Sequence, residues 1–245
     1  MFKLIFLFIY FLPALLFGAD TIDATVLLFS EQGAEHGAEQ ESYQTRMLIS
    51  EDFLRIDDGA GADGYVLFDR QNNIIYNINN DTKTVMTVEL IPDEVKPPFD
   101  LDLVAEKITL PAGAPEINGI KPQHYRLSTN QEHCLDVIAV NGMLESAVNA
   151  MQAYNRVLAS NNAITLDATP LELQTPCMLS MNIFYVNQNL RYGFPVQEWD
   201  KYGKRRSLIS YKQNEKLESS LFNLANRFQH FSIKDFREGR VKIGE

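Results

Sequence analysis

The sequence contains few of the residues from which most recognisable sites are built. It has two cysteines, four histidines and one tryptophan in 245 residues. No H-E-x-x-H pair, G-x-S-x-G elbow or Cys-x-x-Cys motif occurs, so the usual signatures of zinc proteases, serine hydrolases and redox-active dithiols are missing. We therefore predict that the protein is not an enzyme, with no catalytic residues, no bound metal and no cofactor. Because catalytic groups can assemble from distant residues, an unrecognised enzyme is the alternative.

Positive charge is also scarce. The chain has 22 Lys and Arg against 32 Asp and Glu, which gives a net charge of −10. Nucleic acid and extended anionic lipid surfaces are therefore poor candidates as partners, because both attract clustered positive charge. The dense basic cluster of the sequence consists of Lys201, Lys204, Arg205 and Arg206. A solvated hairpin tip whose charges block edge pairing is the simpler interpretation, and contact with lipid head groups or an acidic partner is the functional one.

The amino-terminal segment indicates export. Lys3 is followed by an unbroken apolar stretch, residues 4–17. As a helix with about 1.5 Å per residue the stretch would span roughly 21 Å, which is short for a bilayer core of about 30 Å. We therefore predict a signal peptide at residues 1–19, cleavage near Ala19 and a periplasmic location. Phe17 stands where a small residue is expected before the cleavage site, so an uncleaved amino-terminal anchor is the alternative.

The two cysteines, Cys134 and Cys177, predict a disulfide, since an even pair in an oxidising compartment most simply forms a bridge. A bridge that closes a loop of this length stabilises a fold by roughly 4 kcal/mol in the chain-entropy model. The alternative is that Cys134 stays reduced and forms a copper or zinc site with its neighbour His133. That site needs a free thiol, so the two interpretations exclude each other.

Residues 22–90 have the pattern of an antiparallel meander. Short β-rich runs alternate with connections rich in Gly, Asn and Asp, which suit hairpin turns. The predicted strands are 24–30, 43–49, 53–57, 64–69, 74–79 and 84–89. Apolar residues point both ways in several of these strands, so both faces of the sheet should be covered.

One of the connections, residues 59–64, matches G-x-G-x-x-G. A dinucleotide-binding fingerprint requires a strand before the motif and a helix after it, so that the helix N-terminus meets the pyrophosphate. A strand is predicted to follow here instead. We therefore interpret the segment as a hairpin loop.

The second half of the chain mixes helices and strands. The predicted elements are strands at 106–110 and 124–128, helices at 144–158 and 175–193, a hairpin at 194–211 and a strand near 228–233. Apolar residues at the spacing of one helix face indicate the first helix. Thr175 as a cap, Pro176 at the first helical position and Gly193 as a stop indicate the second. The disulfide would then tie the base of the first helix to the first turn of the second.

Length and organisation favour one domain after the signal peptide, because the remaining chain is long enough to bury a sizeable core. We divide residues 20–245 into a β-meander at 20–130, a helical pair at 131–193, and a hairpin, strand and tail at 194–245. The predicted fold class is α+β, mainly antiparallel β.

The hairpins carry a resemblance to a known family. The segments concerned are 53–57 (FLRID), 65–70 (YVLFDR), 74–78 (IIYNI) and 82–84 (TKT). They resemble the consecutive hairpins of the periplasmic LolA/LolB-like superfamily of lipoprotein carriers, nearest to its uncharacterised exported members. The resemblance covers roughly residues 24–90. It implies a curved open sheet, a half-barrel, with the disulfide-tied helix pair packed against its concave face around an apolar cavity for acyl chains.

Two hypotheses of function follow. The first is an exported envelope protein that binds an apolar or amphiphilic molecule, such as a lipid or a lipoprotein acyl chain. The sheet positions that we nominate to face its cavity, although core packing would also explain them, are Leu54, Ile56, Tyr65, Leu67, Tyr76 and Met86. The second is an interaction or assembly factor that docks an envelope protein on a sheet face, a sheet edge or the hairpin that carries Trp199.

Overall fold

The computed structural model describes residues 20–33, 42–60, 63–92, 95–225 and 227–241. The predicted signal peptide at 1–19 lies outside these ranges. One sheet of twelve strands dominates the described chain. The strands are β1 (Thr21–Gln32), β2 (Ser42–Ile49), β3 (Phe53–Asp57), β4 (Gly64–Asp69), β5 (Ile74–Asn79), β6 (Thr84–Glu89), β7 (Leu103–Ile108), β8 (Gln123–Thr129), β9 (Glu132–Val140), β10 (Phe194–Asp200), β11 (Arg205–Glu218) and β12 (Gln229–Ser232).

The strand order follows the chain in two runs. Strands β1 to β6 are successive neighbours, as are β7 to β11, and an antiparallel pairing of β1 with β11 joins the two runs. Strand β12 lies beside β6 in parallel. The sheet is open and unclosed, with β12 and β7 at its edges. This arrangement confirms the predicted α+β fold with a mainly antiparallel open sheet.

Few helices accompany the sheet. The α-helices of the described chain are α1 (Glu145–Ala163), α2 (Pro176–Leu179) and α3 (Ile233–Arg237). A π-helix at Ser180–Phe184 continues α2, and short 3-10 helices occur at Leu166–Ala168, Leu171–Leu173, Asn189–Tyr192 and Ser219–Phe222. Among the described residues, no helix combines the length and the apolar character needed to cross a membrane.

Turn chemistry explains why the hairpins of the first half could be predicted closely. Strands β3 to β6 have the predicted bounds. In the turn after β5, the side-chain oxygen of Asn79 accepts hydrogen bonds from the N–H groups of Asp81 and Thr82, both at 2.9 Å. Such side-chain bonds favour the turn over a continued strand. The connection at 59–64 leads into β4, as the hairpin interpretation requires, with residues 61 and 62 outside the described ranges.

Two predictions for the second half are wrong. Residues assigned to the helical region 131–193 begin with strand β9, which lies between β8 and β10. The second predicted helix is reduced to the four residues of α2 and the π-helix that follows. The helical stretch ends early because the backbone of Tyr185, with φ −136° and ψ 42°, leaves the helical region. The disulfide therefore joins strand β9, and not the base of α1, to α2.

The two faces of the sheet are both covered, as predicted. The inner face packs against α1, and its buried residues include Leu27, Phe29, Leu54, Phe68, Ala150 and Met151. The outer face packs against residues of the segment 221–228, around Leu48, Leu67, Ile78, Val85 and Phe222. Full burial of a large apolar side chain contributes about 1.5 to 3 kcal/mol. Two cores of this kind therefore hold the sheet from both sides.

Candidate functional site

A cavity of about 640 Å³ lies between the inner face of the sheet and α1. Part of its lining comes from residues 175–188, which we call the strap and which contain α2 and the π-helix. Another part comes from the hairpin between β10 and β11. The volume falls within the range of about 300 to 1,000 Å³ that is typical of small-molecule sites.

The strap begins at a conventional helix start. Thr175 is extended and its hydroxyl accepts the N–H of Met178 at 3.2 Å, while Pro176 occupies the first helical position. A proline fits there because its missing N–H would have no partner in the helix. The wider π-helical turn then follows, and such turns occur frequently at functional sites.

A disulfide fixes the start of the strap to the sheet. The sulfur atoms of Cys134 and Cys177 are 2.05 Å apart, which confirms the predicted bridge. Next to it, the buried hydroxyls of Thr129 and Ser180 lie 2.7 Å apart and share a hydrogen bond. Both cysteines line the cavity. The bridge is therefore part of the cavity wall as well as a cross-link.

A β-bulge gives Cys134 its orientation. Leu127 pairs with Leu135, but Ser128 pairs with His133, so Cys134 has no partner of its own in the register. An extra residue of this kind disrupts the ladder locally and re-aims a side chain. As a result, Cys134 and its neighbour Leu135 both line the cavity.

Asparagine side chains hold the middle of the strap against α1. The side-chain nitrogen of Asn155 donates to the side-chain oxygen of Asn187 at 3.0 Å, and Asn187 donates in turn to the backbone oxygen of Gln152 at 3.1 Å. Asn162 donates to the backbone oxygen of Asn182 at 3.1 Å. These bonds fix the strap along the helix at two places.

The apolar part of the lining is rich in methionine. Its residues include Met47, Leu54, Met151, Leu158, Met178 and Met181. Methionine has an unbranched, polarisable side chain that adapts to irregular shapes, and it is common on surfaces that accept varied apolar ligands. This part of the cavity can therefore receive an alkyl chain without a fixed outline.

The polar part of the lining is concentrated near the β10–β11 hairpin. Asn189 donates from its side-chain nitrogen to Glu198 at 2.5 Å, whereas its side-chain oxygen is buried without a hydrogen-bond partner among the described residues. Asp200 accepts the N–H groups of Tyr202 and Lys204 and so shapes the turn. The basic cluster found in the sequence thus lines the cavity where it meets solvent.

Arg206 is the cation of this cluster that is largely covered. Its side chain is 21% exposed, and its guanidinium carbon lies 3.9 Å from the ring centroid of Phe29. Its Nε lies 3.4 Å from a carboxylate oxygen of Glu31, close enough for charge attraction, but forms no hydrogen bond within the described chain. A terminal nitrogen donates to the sulfur of Met47 at 3.4 Å, which is a weak acceptor. Among the described residues, Arg206 therefore has one ion pair and one weak hydrogen bond, which leaves donors of the guanidinium without a partner.

Tyr154 of α1 adds a hydroxyl to the cavity lining. Burial raises the pKa of this phenol above its ordinary value, and the nearby charge of Arg206 partly opposes the effect. The group is therefore neutral at physiological pH. It can donate or accept a hydrogen bond but carries no charge.

The six nominated sheet positions do not share one face. Leu54 lines the cavity, whereas Ile56 and Met86 pack within the inner core. The other three, Tyr65, Leu67 and Tyr76, belong to the outer core under the segment 221–228. The six residues therefore cannot line a single cavity, and Leu54 is the nominee that reaches the cavity described here.

Most of the lining was missed because it lies far from the meander in sequence. Met151 and Leu158 lie in the helix that the sequence predicts at 144–158, and the strap lies in the helix that it predicts at 175–193. The helical spacing of Met151, Tyr154 and Leu158 was visible in the sequence, but core packing explains that spacing equally well. The methionine content of the segment 143–181 is a signal that could have drawn attention to it.

Two histidines of β8 and β9 surround a buried carboxylate, and the ring of His124 packs 5.2 Å from that of Trp199. His124 Nε2 lies 2.7 Å from Asp136 Oδ1, and His133 Nε2 lies 2.7 Å from Asp136 Oδ2. The second contact does not have hydrogen-bond geometry. Cys134 is bridged and has no thiol to offer a metal ion. Over the described ranges, no group of three or more His, Cys, Asp or Glu is arranged to hold one.

Comparison with known proteins shows similarity at a low level only. No family model and no curated protein matches the chain. An uncharacterised conserved protein from Thermus thermophilus aligns over 86% of this chain and 90% of its own, with 8% identity and a TM-score of 0.40. Two crystal forms of PNGF-II align over 88% and 89% of this chain, with 11% and 9% identity and TM-scores of 0.41 and 0.42. The aligned part covers 32% and 33% of PNGF-II.

Proposed function

We propose that this protein is a non-catalytic binder of an apolar or amphiphilic molecule, which it holds in the cavity between the sheet, α1 and the strap. The observation that carries the proposal is the cavity lining. Four of the seven methionines of the chain contribute to it, namely Met47, Met151, Met178 and Met181. Small-molecule sites typically have volumes of about 300 to 1,000 Å³ and mostly apolar linings. A methionine-lined space of about 640 Å³ is therefore suited to a ligand.

An amphiphile fits the lining better than a purely apolar molecule. Apolar side chains of the sheet and α1 provide one part of the wall, and the charged hairpin around Lys201 and Lys204 provides another. A molecule with an alkyl chain and a polar group can place each part against matching side chains. A lipid or a lipoprotein acyl chain has this chemistry.

Export to the periplasm is part of the same proposal. The disulfide between Cys134 and Cys177 fits an oxidising compartment, where such bridges persist. The signal-peptide layout of residues 1–19 and the resemblance of the hairpins to the LolA/LolB-like carriers support it. A carrier or binder of lipid in the envelope would meet its ligand in that compartment.

Native mass spectrometry of the gently purified protein and uptake of a fluorescent fatty acid test the proposal together. A co-purifying lipid, or uptake at micromolar concentration, is expected. Met181→Trp should fill the cavity and reduce uptake at least about tenfold, because the ligand loses the space it occupies. Phe184→Trp in the same π-helix is the matched control, since Phe184 lines a different groove. No lipid and no uptake would overturn the proposal.

A second candidate is docking of a protein partner on edge strand β7. Val104 on this strand and Phe99 before it are 49% and 41% exposed, and no described strand pairs with the outer edge of β7. Exposed strand edges are templates for β-augmentation. Cross-linking in intact cells distinguishes the candidates. A partner that Val104→Pro abolishes, while fatty-acid uptake stays normal, would favour the second.

A further inference from the structure

We infer that the ligand of this cavity carries an anionic head group, and that Arg206, with Lys204 beside it, binds that group. The inference rests on the proposed function and adds the charge of the ligand to it. It is drawn from the charges that line the polar part of the cavity, taken one by one.

The acidic groups of the lining already have partners. Glu198 accepts a hydrogen bond from Asn189 at 2.5 Å, and Asp200 accepts the turn N–H groups of Tyr202 and Lys204 at 2.9 and 3.0 Å. Glu31 accepts the hydroxyl of Tyr43 at 3.1 Å. Each carboxylate therefore has a donor from the protein itself, and none of them requires a cationic ligand.

The cationic side chains of the lining make fewer ion pairs and hydrogen bonds with described residues. Lys201 is paired with Glu132 at 2.5 Å. Lys204 and Arg205 are exposed, and neither has an ion pair with any described residue. Arg206 is paired with Glu31 at 3.4 Å, and its one hydrogen bond to a described residue goes to a thioether sulfur. A guanidinium has five donors in a planar fork that matches a carboxylate or phosphate, so donors remain for a ligand. An anion that enters from solvent would find available donors on Arg206 and on its exposed neighbours Lys204 and Arg205.

The position of Arg206 links the two parts of the cavity. Its guanidinium lies over Phe29, whose ring belongs to the inner core, and contacts the sulfur of Met47. Met47 also belongs to the methionine-rich lining. A head group on Arg206 would therefore leave its alkyl chain next to the apolar part of the wall. Desolvation at this site strengthens a charge-assisted bond relative to one at the surface.

Binding of chain-matched amphiphiles tests this inference. The probes are laurate, dodecyl phosphate and dodecanol, and the readout is the fluorescence of Trp199, which is the single tryptophan and lines the cavity. One or both anions should bind about tenfold to a hundredfold more tightly than dodecanol, as expected for a charge-assisted hydrogen bond. Preference for laurate indicates a fatty-acid source, and preference for dodecyl phosphate indicates a phospholipid-type source.

Substitutions of Arg206 and Lys204 test whether these side chains cause the preference for anionic probes. Arg206→Gln should reduce anion affinity to within about fivefold of that of dodecanol, whereas Arg206→Lys should retain more of the preference. Lys204→Gln should reduce the affinity for anions about twofold to fivefold. This variant remains informative if Arg206→Gln does not fold. Lys212→Gln is the control, because Lys212 is on the same strand, 70% exposed and paired with Glu215.

The outcomes separate this inference from the proposed function. Equal affinity for the anions and dodecanol would overturn the head-group assignment but leave amphiphile binding intact. An anion preference that survives Arg206→Gln and Lys204→Gln would also overturn the assignment. Failure of all three probes to bind would overturn both the inference and the proposed function.

Discussion

Arg55 and Leu221 are separated by 166 positions, yet the Nη1 of Arg55 donates a hydrogen bond to the backbone oxygen of Leu221 at 2.6 Å. The same guanidinium lies 3.9 Å from the ring centroid of Tyr65, whose hydroxyl donates to the backbone oxygen of Asn223 at 2.8 Å. Asp57 accepts the Nε of Arg55 at 2.7 Å. These contacts fix residues of the segment 221–228 to the outer face of the sheet.

Asp57→Asn should reduce the free energy of unfolding by about 3 to 5 kcal/mol. The Asp57 side chain has no exposed surface and accepts two hydrogen bonds from Arg46 in addition to the one from Arg55. Its loss would leave the buried Arg55 charge uncompensated. Asp23→Asn removes an exposed ion pair with Lys216 and should cost less than about 1 kcal/mol. Urea unfolding of both variants measures the difference.

Stability should fall at acid pH in a window that depends on Asp57. Burial by itself would raise the pKa of this carboxyl, but hydrogen bonds from Arg46 and Arg55 outweigh burial and lower the pKa below its ordinary value. The unfolded chain therefore takes up the proton first, at about pH 4. The contribution to stability is present above that pH and is lost as the pH falls through the native pKa. Asp57→Asn should flatten this part of the curve, and an unchanged slope would contradict the assignment.

Cys134→Ser should reduce stability by about 2 to 5 kcal/mol, the usual range for a native disulfide in an exported domain. The strap should loosen with it, because Cys177 opens α2, and uptake of the fluorescent fatty acid should fall. Cys177→Ser should have the same effect, since either change breaks the same bridge. Thiol counting on the unfolded, unreduced protein is the direct check, and two free thiols would contradict the bridge.

Asn187→Ala should weaken the contact between the strap and α1. The variant loses the bonds to Asn155 and Gln152, at a cost of about 1 to 3 kcal/mol for the groups left without partners. Hydrogen exchange of the strap should accelerate while β3 to β6 remain protected. Asn182→Ala is the control, because Asn162 bonds to the backbone oxygen of residue 182, which the change retains.

Gly193→Ala should destabilise the start of β10. Gly193 has φ +112°, and an added Cβ would lie 2.3 Å from the backbone oxygen of Val140. Both the dihedral angle and the contact would require the backbone to move, so a loss of more than about 1 kcal/mol is expected. Gly33→Ala is the control, since nothing lies within 4 Å of its added Cβ. Thermal unfolding of the pair provides the comparison.

The sequence predicted what local chemistry controls. Turn residues set the bounds of β3 to β6, and the presence of only two cysteines set the disulfide partners. Strand β9 escaped prediction because the bulge at Cys134 interrupts its alternation and because it is buried on both faces. The sequence predicted an apolar cavity against the sheet. Of the six residues nominated to line it, Leu54 is the one that lines the cavity described here.

By itself, then, the sequence determined an acidic chain, hairpins with short polar turns, and a bridge between Cys134 and Cys177. The tertiary structure decided which apolar residues face a cavity and which are covered. That choice depends on the pairing of β1 with β11, on the helix that packs against the inner face, and on the segment 221–228 that closes the outer face. These contacts join residues far apart in the chain, and alternation within one strand identifies its two faces without indicating what lies against either of them.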